Sequence, residues 1–204
     1  MLDAQLVSGD MKINRISPDL YEIEDFVTED QRQQVLNFAR NLPEEAWFDE
    51  ELEGMMWQGK QYMGAKPHVF DIIDENVKNL FSTLYDNFSV SLQRYKEGHS
   101  ITPHRDYWIY ELPYHIRYGI CIYFNDDYEG GELHYPELEI THKPKPGSLV
   151  MHGGNILHTS LPVKGDVVRY FSTTFIRGTK ENPITLNQDL FKEVEEHDGS
   201  EYIR

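Results

Sequence analysis

The chain has 204 residues, of which 39% are hydrophobic, so it can build a substantial core within one folded unit of ordinary size. Acidic residues outnumber basic ones by 35 to 19, and the resulting net charge of −16 repels phosphate backbones and argues against nucleic-acid binding. Cys121 is the only cysteine, which excludes an intrachain disulfide and favours a reducing compartment. Neither a signal-peptide pattern nor a membrane-spanning apolar run is present, so we expect a cytoplasmic location without membrane contact.

The N-terminal part of the chain predicts a strand followed by a helix. Residues 1–17 show no regular pattern and are expected to be loose. In residues 20–27, apolar and acidic residues alternate, which indicates a half-buried strand. Thr28 and Gln31 have the spacing of a capping box, which predicts that a helix begins there and ends before Pro43.

Three further segments flank the remaining sequence. Residues 47–66 contain two tryptophans and three glycines with little periodicity, which indicates irregular structure or a lid. From Asp71 to Phe88, apolar residues recur on one helical face, which predicts a helix that packs across a sheet. The acidic tail, residues 186–204, is expected to be a solvated surface segment with at most a short helix near Leu190.

The middle of the chain predicts a β-rich core. After residue 89, short β-type runs are separated by turn residues, with helices only before and after them. The runs are 90–96, 101–106, 117–124, 131–135, 148–152, 155–160 and 167–177. This pattern predicts a mainly β fold with flanking helices, of the α+β class, whose jelly roll is buttressed by N-terminal helices. We expect a single domain: residues 18–88 give support, 89–178 form the core, and 179–204 form the tail.

A candidate metal site lies in these runs. His104 and Asp106 are two positions apart, so on a strand both side chains lie on the same face. His158, in a later apolar strand, is the candidate third ligand. Two histidines and one carboxylate leave half of an octahedron open, which is the arrangement that non-haem Fe(II) oxygenases use.

Other interpretations of these histidines stay open. The chain has nine histidines, so a His-x-Asp spacing arises easily by chance, and a lone histidine in an apolar strand is commonly a packed core residue. His152 is a rival third ligand, although its position before Gly153 is also compatible with the surface. The order of motifs along the chain favours His158.

Arg169 lies in the apolar run VVRYF, where a buried cation is costly unless its charge is paired. One interpretation is a salt bridge to one of the many carboxylates of the chain. The other is a clamp on the carboxylate of a ligand, which the planar guanidinium fits well.

The ordered set of motifs resembles the Fe(II)/2-oxoglutarate-dependent dioxygenases, and within them the prolyl 4-hydroxylase type. The resemblance covers about residues 18–178. The motifs that carry it are His104-x-Asp106, Cys121-Ile122-Tyr123-Phe124-Asn125, Gly130-Gly131-Glu132-Leu133, Pro146-Gly147-Ser148-Leu149, His158 and Val168-Arg169-Tyr170. The family fold is a double-stranded β-helix, a cupin-like jelly roll, which agrees with the predicted strands.

The resemblance implies a set of site residues. His104, Asp106 and His158 would bind Fe(II), and Arg169 would hold the distal carboxylate of 2-oxoglutarate. Tyr123 and Tyr95 match tyrosines near the co-substrate, although both could equally be core residues with internal hydrogen bonds. Family members that act on collagen usually carry Lys at the anchor position. The Arg of this chain therefore weakens any transfer of their substrate specificity.

The reaction that the resemblance implies is hydroxylation of an unactivated C–H bond, with O₂ as oxidant and ascorbate as reductant, while 2-oxoglutarate becomes succinate and CO₂. A prolyl residue in a peptide or protein is the first candidate substrate, and a small molecule is the next. Tyr107, Trp108 and Trp57 could contact the substrate or cap the core. Two other functions stay open: a jelly-roll binding module with structural histidines, and a cupin-like metal enzyme without 2-oxoglutarate.

Overall fold

The computed structural model describes residues 11–49, 59–84, 88–106, 115–179, 181–192 and 194–196. Its strands are β1 (Lys12–Ser17), β2 (Leu20–Glu24), β3 (Trp47–Asp49), β4 (Lys60–Tyr62), β5 (Phe81–Thr83), β6 (Leu92–Tyr95), β7 (Ile101–His104), β8 (His115–Tyr123), β9 (Glu129–Gly130), β10 (Leu133–Tyr135), β11 (Ile140–His142), β12 (Leu149–Gly153), β13 (His158–Ser160), β14 (Val163–Lys164), β15 (Arg169–Gly178), β16 (Thr185–Leu186) and β17 (Glu195–Glu196). The α-helices are α1 (Glu29–Arg40), α2 (Val69–Lys78) and α3 (Gln188–Phe191), and a short 3-10 helix spans Glu44–Ala46.

Two sheets form the body of the molecule. The larger has nine strands in the order β17-β1-β2-β12-β8-β15-β6-β4-β3, and the smaller has four in the order β11-β10-β13-β7. Two-stranded pairs, β14 with β9 and β16 with β5, complete the set among the described residues. Neighbours in sequence are often distant in the sheets, as expected for the jelly-roll fold that the strand pattern predicts.

Alternation along β8 divides the interior into two clusters. Ile120 and Ile122 pack in a core that the sheet shares with α1 and α2. Cys121 and Tyr123, one position out of phase, belong to a second cluster on the opposite face. Successive side chains of a strand lie on opposite faces, so a single long strand serves both the supporting core and the cavity between the sheets.

The N-terminal capping box is confirmed. The Gln31 backbone N–H donates to Thr28 Oγ1 at 3.3 Å, and the Thr28 N–H donates to Gln31 Oε1 at 3.0 Å. Behind it, the apolar face of α1 buries Val35, Leu36 and Ala39. Arg32 donates to the carbonyl oxygen of Phe124 at 2.9 Å, which fastens this helix to the end of β8.

The helix predicted over residues 71–88 is too long, because residues 79–84 are not helical. α2 ends at Lys78, and Phe81–Thr83 forms β5, which pairs with Thr185–Leu186. Leu80 and Phe81 are buried in this extended segment, as they would have been on a helical face. Their apolar spacing therefore could not distinguish the two conformations, and pairing with a strand distant in sequence decides between them.

The irregular structure expected over residues 47–66 is also only partly right. Trp47–Asp49 and Lys60–Tyr62 are strands that pair with each other and extend the nine-stranded sheet beyond β6. Each strand is three residues long, too short for alternation to indicate it. Residues 50–58, in which a lid was considered, lie outside the described residues.

The two ends of the described chain are more ordered than the sequence pattern indicates. Lys12–Ser17, expected to be loose, forms β1 and pairs with β2 on one side and β17 on the other. In the tail, Phe191 packs edge-on against Tyr21 with ring centroids 5.4 Å apart. Sheet pairing and this aromatic contact therefore order two segments for which the local sequence pattern predicts no regular structure.

No helix in the described part of the chain is long and apolar enough to cross a membrane.

The capping box gives the first testable prediction. Thr28→Ala removes the side-chain acceptor for the Gln31 N–H, so we expect the free energy of unfolding to fall by about 1 kcal/mol. Thr28→Ser keeps the hydroxyl and serves as the matched control. Urea unfolding followed by circular dichroism measures both variants, and equal destabilisation by Ala and Ser would contradict the role of the cap.

Candidate metal centre

A cavity lies between the two sheets. The four-stranded sheet contributes Ile101, His104, Leu133, His158 and Ser160 to its walls. The facing wall comes from β6, β8, β12 and β15, and it includes Gln93, Tyr95, Gly119, Cys121, His152, Arg169, Phe171, Thr173 and Phe175. Polar and titratable groups thus converge in a space whose remaining walls are apolar, which is the usual composition of a binding or catalytic pocket.

Three of the predicted ligands meet on one side of this cavity. His104 ends β7, Asp106 follows two residues later, and His158 begins β13. β7 and β13 are antiparallel neighbours in which His158 is the register partner of His104. Direct pairing of the two strands therefore places side by side two histidines that are far apart in the sequence.

The ligand atoms of this trio converge on a single point. Asp106 Oδ1 lies 3.4 Å from His104 Nε2 and 3.7 Å from His158 Nε2. One ligand atom from each residue lies within 4.8 Å of the others, and no other group of three His, Cys, Asp or Glu residues in the described part of the chain does so. A single metal ion could bind all three, since each could supply one nitrogen or oxygen donor.

Backbone carbonyls fix the orientation of both imidazoles. His104 Nδ1 donates to the Thr102 carbonyl oxygen at 2.8 Å, and His158 Nδ1 donates to the Ile156 carbonyl oxygen at 3.0 Å. A carbonyl oxygen only accepts, so Nδ1 carries the hydrogen in each ring. In the neutral ring this leaves the Nε2 lone pair toward the shared point, the arrangement that metal-binding histidines show.

The electrostatics of the trio also fit a cation. Asp106 is 1% exposed. Burial alone would raise its pKa, but hydrogen bonds with His104 and His152 and the electrostatic influence of the neighbouring imidazoles hold the pKa well below its ordinary range. Burial, together with the neighbouring rings of His152 and His104, lowers the pKa of His158 to about 3. An ionised, buried carboxylate thus faces a neutral imidazole, and a divalent ion would supply the missing positive charge.

His104 differs from His158 in the direction in which its pKa is shifted. Burial disfavours the charged ring of His104, but its contact with Asp106 and its backbone bond outweigh burial and raise its pKa. The surroundings of the two imidazoles therefore shift their pKa values in opposite directions.

His152, the rival third ligand, is neither on the surface nor part of the trio. It is 1% exposed in β12, and its Nε2 lies 3.1 Å from Asp106 Oδ2, the carboxylate oxygen that faces away from the other two histidines. Alternation explains its direction, because it shares a face of β12 with Val150 of the inner cluster. The surface position considered for it in the sequence is wrong.

Arg169 lies in the same cavity and is 1% exposed. One Nη atom donates to the Gly131 carbonyl oxygen at 2.9 Å and to Ser160 Oγ, and the other donates to Tyr123 Oη at 3.1 Å. Aromatic rings surround its Cζ, and the centroid of Phe171 is only 4.4 Å away. The first interpretation from sequence, a salt bridge, fails: among the described residues no carboxylate pairs with this guanidinium.

The absence of an internal counter-ion for Arg169 has a chemical meaning. A buried cation held only by neutral oxygens and ring faces carries a large uncompensated desolvation cost. An acidic ligand in the cavity would offset that cost with charge-assisted hydrogen bonds. The pocket can therefore take a small molecule with a carboxylate at the Arg169 end and metal-binding oxygens at the other end.

The two tyrosines singled out in the sequence flank Arg169. Tyr95 is its cross-strand register partner, with its ring centroid 5.2 Å from Arg169 Cζ. Tyr123 accepts a hydrogen bond from Arg169, and burial raises its pKa well above the ordinary value, so its hydroxyl keeps a hydrogen to donate to an acidic ligand. Both lie where contact with such a ligand is possible.

Sequence reasoning did not predict the roles of several residues of this cavity. Ser160 and Gly131 bind Arg169, and Gly119 borders the Asp106 carboxylate. Strand alternation could have indicated that Ser160 lines the cavity, because it is two positions from His158 and shares its face. Cys121 also lines the cavity, and burial raises the pKa of its thiol to about 12, so it stays protonated and is unsuited to bind metal.

The aromatic residues expected near a substrate, Tyr107, Trp108 and Trp57, lie outside the described residues. Their contacts with substrate remain predictions.

The comparisons with known proteins agree with this geometry. Residues 90–177 match the family model of the 2OG-Fe(II) oxygenase superfamily, and this segment contains His104, Asp106, His158 and Arg169. No curated protein sequence matches the chain significantly.

Solved structures support the fold. A viral collagen prolyl hydroxylase from Paramecium Bursaria Chlorella virus-1 has 19% identity and a TM-score of 0.59, covering 78% of this chain and 96% of that one. A Pseudomonas putida prolyl-4-hydroxylase has 16% identity and a TM-score of 0.58, covering 78% and 92%. A Trichoplax adhaerens prolyl hydroxylase, solved with a hypoxia inducible factor peptide fragment, has 14% identity and a TM-score of 0.60, covering 78% and 83%.

At these identities the structural likeness establishes the jelly-roll fold, while the family match covers the segment that carries the site. Residues 90–177 therefore resemble the 2OG-Fe(II) oxygenase superfamily, and this match, together with the structural likeness, supports an oxygenase.

Proposed function

We propose that this oxygenase hydroxylates an unactivated C–H bond of a prolyl residue in a peptide or protein, using Fe(II), 2-oxoglutarate and O₂, with ascorbate as reductant. One observation carries the proposal: a buried His-Asp-His trio shares a cavity with a buried arginine that no carboxylate among the described residues neutralises. The cavity thus offers separate places for a divalent metal ion and for an organic acid.

His104, Asp106 and His158 are the residues that would hold the iron. Bound Fe(II) supplies oxygen activation, in which one atom of O₂ enters succinate as 2-oxoglutarate loses CO₂ and the other enters the substrate C–H bond. The Nδ1 bonds to backbone carbonyls keep both rings oriented for the metal, so little reorganisation accompanies binding.

Arg169 and Tyr123 would bind the distal carboxylate of 2-oxoglutarate. The guanidinium contributes charge and directed N–H groups, and the tyrosine contributes a hydroxyl that remains protonated. Leu133, Phe171 and Ile101 line the cavity between the polar groups and exclude water from the reacting centre.

The prolyl substrate is supported by the three structural relatives, whose names give them as prolyl hydroxylases, one of them solved with a peptide fragment. The net charge of −16 adds a preference, because an acidic surface attracts basic peptides and repels acidic ones. Proline-containing peptides rich in Lys or Arg are therefore the first substrates to test.

Loss of a metal-binding residue should abolish metal binding without unfolding the protein. For His104→Ala we expect Co(II) affinity to fall by more than the roughly 10- to 100-fold that follows loss of an outer-sphere partner. His134→Ala is the matched control, because His134 lies in the same small sheet and its Nδ1 bonds Thr141 outside the cavity. Calorimetric titration of the metal-free protein measures both, and equal affinities would contradict the assignment.

Arg169 should determine co-substrate affinity but not metal affinity. Arg169→Leu removes the buried charge, so we expect 2-oxoglutarate binding to the Mn(II)-loaded protein to weaken by on the order of 100-fold. Arg169→Lys keeps the charge but loses the forked geometry, and should be intermediate. The control is Arg117→Leu, which removes a cation paired with Asp19 outside the cavity. Unchanged 2-oxoglutarate affinity in Arg169→Leu would rule out the anchor.

The reaction itself is tested by turnover with Fe(II), ascorbate and 2-oxoglutarate. We expect succinate formation, which increases when a basic proline-containing peptide is added, and a peptide mass gain of one oxygen atom at proline. Omitting ascorbate should shorten the period of activity. Succinate without peptide modification would redirect the search to small-molecule substrates, and the absence of both succinate and metal binding would favour a binding module.

A further inference from the structure

The two oxygens of the Asp106 carboxylate have different surroundings. Oδ1 lies 3.4 Å from His104 Nε2 and 3.7 Å from His158 Nε2, at the point where the three ligand atoms converge. Oδ2 lies 3.1 Å from His152 Nε2, on the other side of the carboxylate. The trio therefore presents one oxygen to a metal ion, and a fourth side chain already occupies the second oxygen.

His152 is held firmly in this position. Its ring lies against that of His158 with centroids 4.0 Å apart, and the ring of Tyr135 is 6.0 Å away. A carboxylate oxygen only accepts, so Nε2 must carry the hydrogen of this contact. His152 Nδ1 is buried and has no hydrogen-bond partner among the described residues, so the contact with Asp106 is the hydrogen bond that this imidazole makes there.

Gly119 provides the space for this pair. It is the register partner of His152 on the neighbouring strand β8. A Cβ at Gly119 would lie 2.2 Å from Asp106 Oδ2 and 2.5 Å from His152 Nε2, far inside van der Waals contact. Any larger residue at position 119 would therefore push the carboxylate and the imidazole apart.

From these contacts we propose that His152 is a positioning residue that keeps Asp106 a one-oxygen ligand, and that Gly119 is required for the contact. The inference rests on the proposed function, since it concerns the same metal site. A carboxylate can bind a metal through one oxygen or both, and the second mode uses an additional coordination position. Hydrogen bonding to Oδ2 favours the first mode and keeps open the positions that co-substrate and O₂ need.

The test compares two substitutions of His152. His152→Leu fills the space without a donor, whereas His152→Gln can place an amide N–H near the former Nε2. We expect Co(II) affinity to fall about 10- to 100-fold in the Leu variant and to stay within about threefold of wild type in the Gln variant. His134→Leu, outside the cavity, is the control for removing a histidine.

A second measurement separates positioning from general structural damage. Water-proton relaxation of the Mn(II)-loaded protein reports the number of exchangeable waters on the metal. We expect it to fall in His152→Leu, because a carboxylate bound through both oxygens displaces a water, and to recover in His152→Gln. Gly119→Ala, which retains His152 but separates it from Asp106, should reproduce the loss, and thermal unfolding of each metal-free variant checks that it is folded.

The outcomes distinguish this inference from the proposed function. Wild-type protein that binds neither Co(II) nor Mn(II) would overturn both. Wild-type binding with equal affinity and equal relaxation in His152→Leu and Gly119→Ala would overturn the positioning role alone. A Gln variant as impaired as the Leu variant, in both affinity and relaxation, would likewise exclude a role for the N–H donor.

Discussion

The site depends on one electrostatic constraint, a carboxylate that stays ionised where almost no water reaches it. Asp106 is 1% exposed, and its pKa is depressed because imidazole groups surround it. An isolated buried charge of this kind would be very costly, so the surrounding strands must present compensating groups from several directions. His104 and His158 do so from the small sheet, and His152 does so from the large one.

A second buried charge of opposite sign lies in the same cavity. Arg169 is surrounded by a carbonyl, two hydroxyls and aromatic faces, and among the described residues it has no acidic partner. Direct pairing with Asp106 would cancel both charges and close the cavity to ligands. The fold instead keeps them separate, which leaves each with capacity for an external partner. This arrangement lowers the stability of the fold and leaves both groups able to bind a ligand, as buried polar groups at functional sites commonly do.

The sequence was most informative where a local rule and the final packing coincide. The Thr28 capping box and the His-x-Asp spacing are both local, and the cap has the predicted geometry. His104 and Asp106 also converge as predicted, although Asp106 follows the end of β7 and the two residues do not share one strand. It was least informative where distant chain segments decide. Phe81 lies in a strand because of Thr185–Leu186, and short edge strands such as Trp47–Asp49 exist only through pairing.

His152 shows the same limit within the site. From sequence it was a rival ligand or a surface residue, because its position before two glycines resembles a strand end. Its contact with Asp106 follows from the register of β12 with β8, which sets His152 opposite Gly119 and beside the Asp106 carboxylate. Alternation could have indicated its inward direction, but no local pattern reveals which oxygen of which carboxylate it meets.

Cys121 illustrates how the cavity can accommodate the proposed oxygen chemistry. A thiol beside an oxygen-activating centre is a natural target for oxidation to sulfenic acid, a reaction that proceeds through the thiolate. Burial raises the pKa of this thiol to about 12, so almost none of it is ionised at neutral pH. A soft, compact side chain can thus line the cavity without offering a sulfur nucleophile to reactive oxygen.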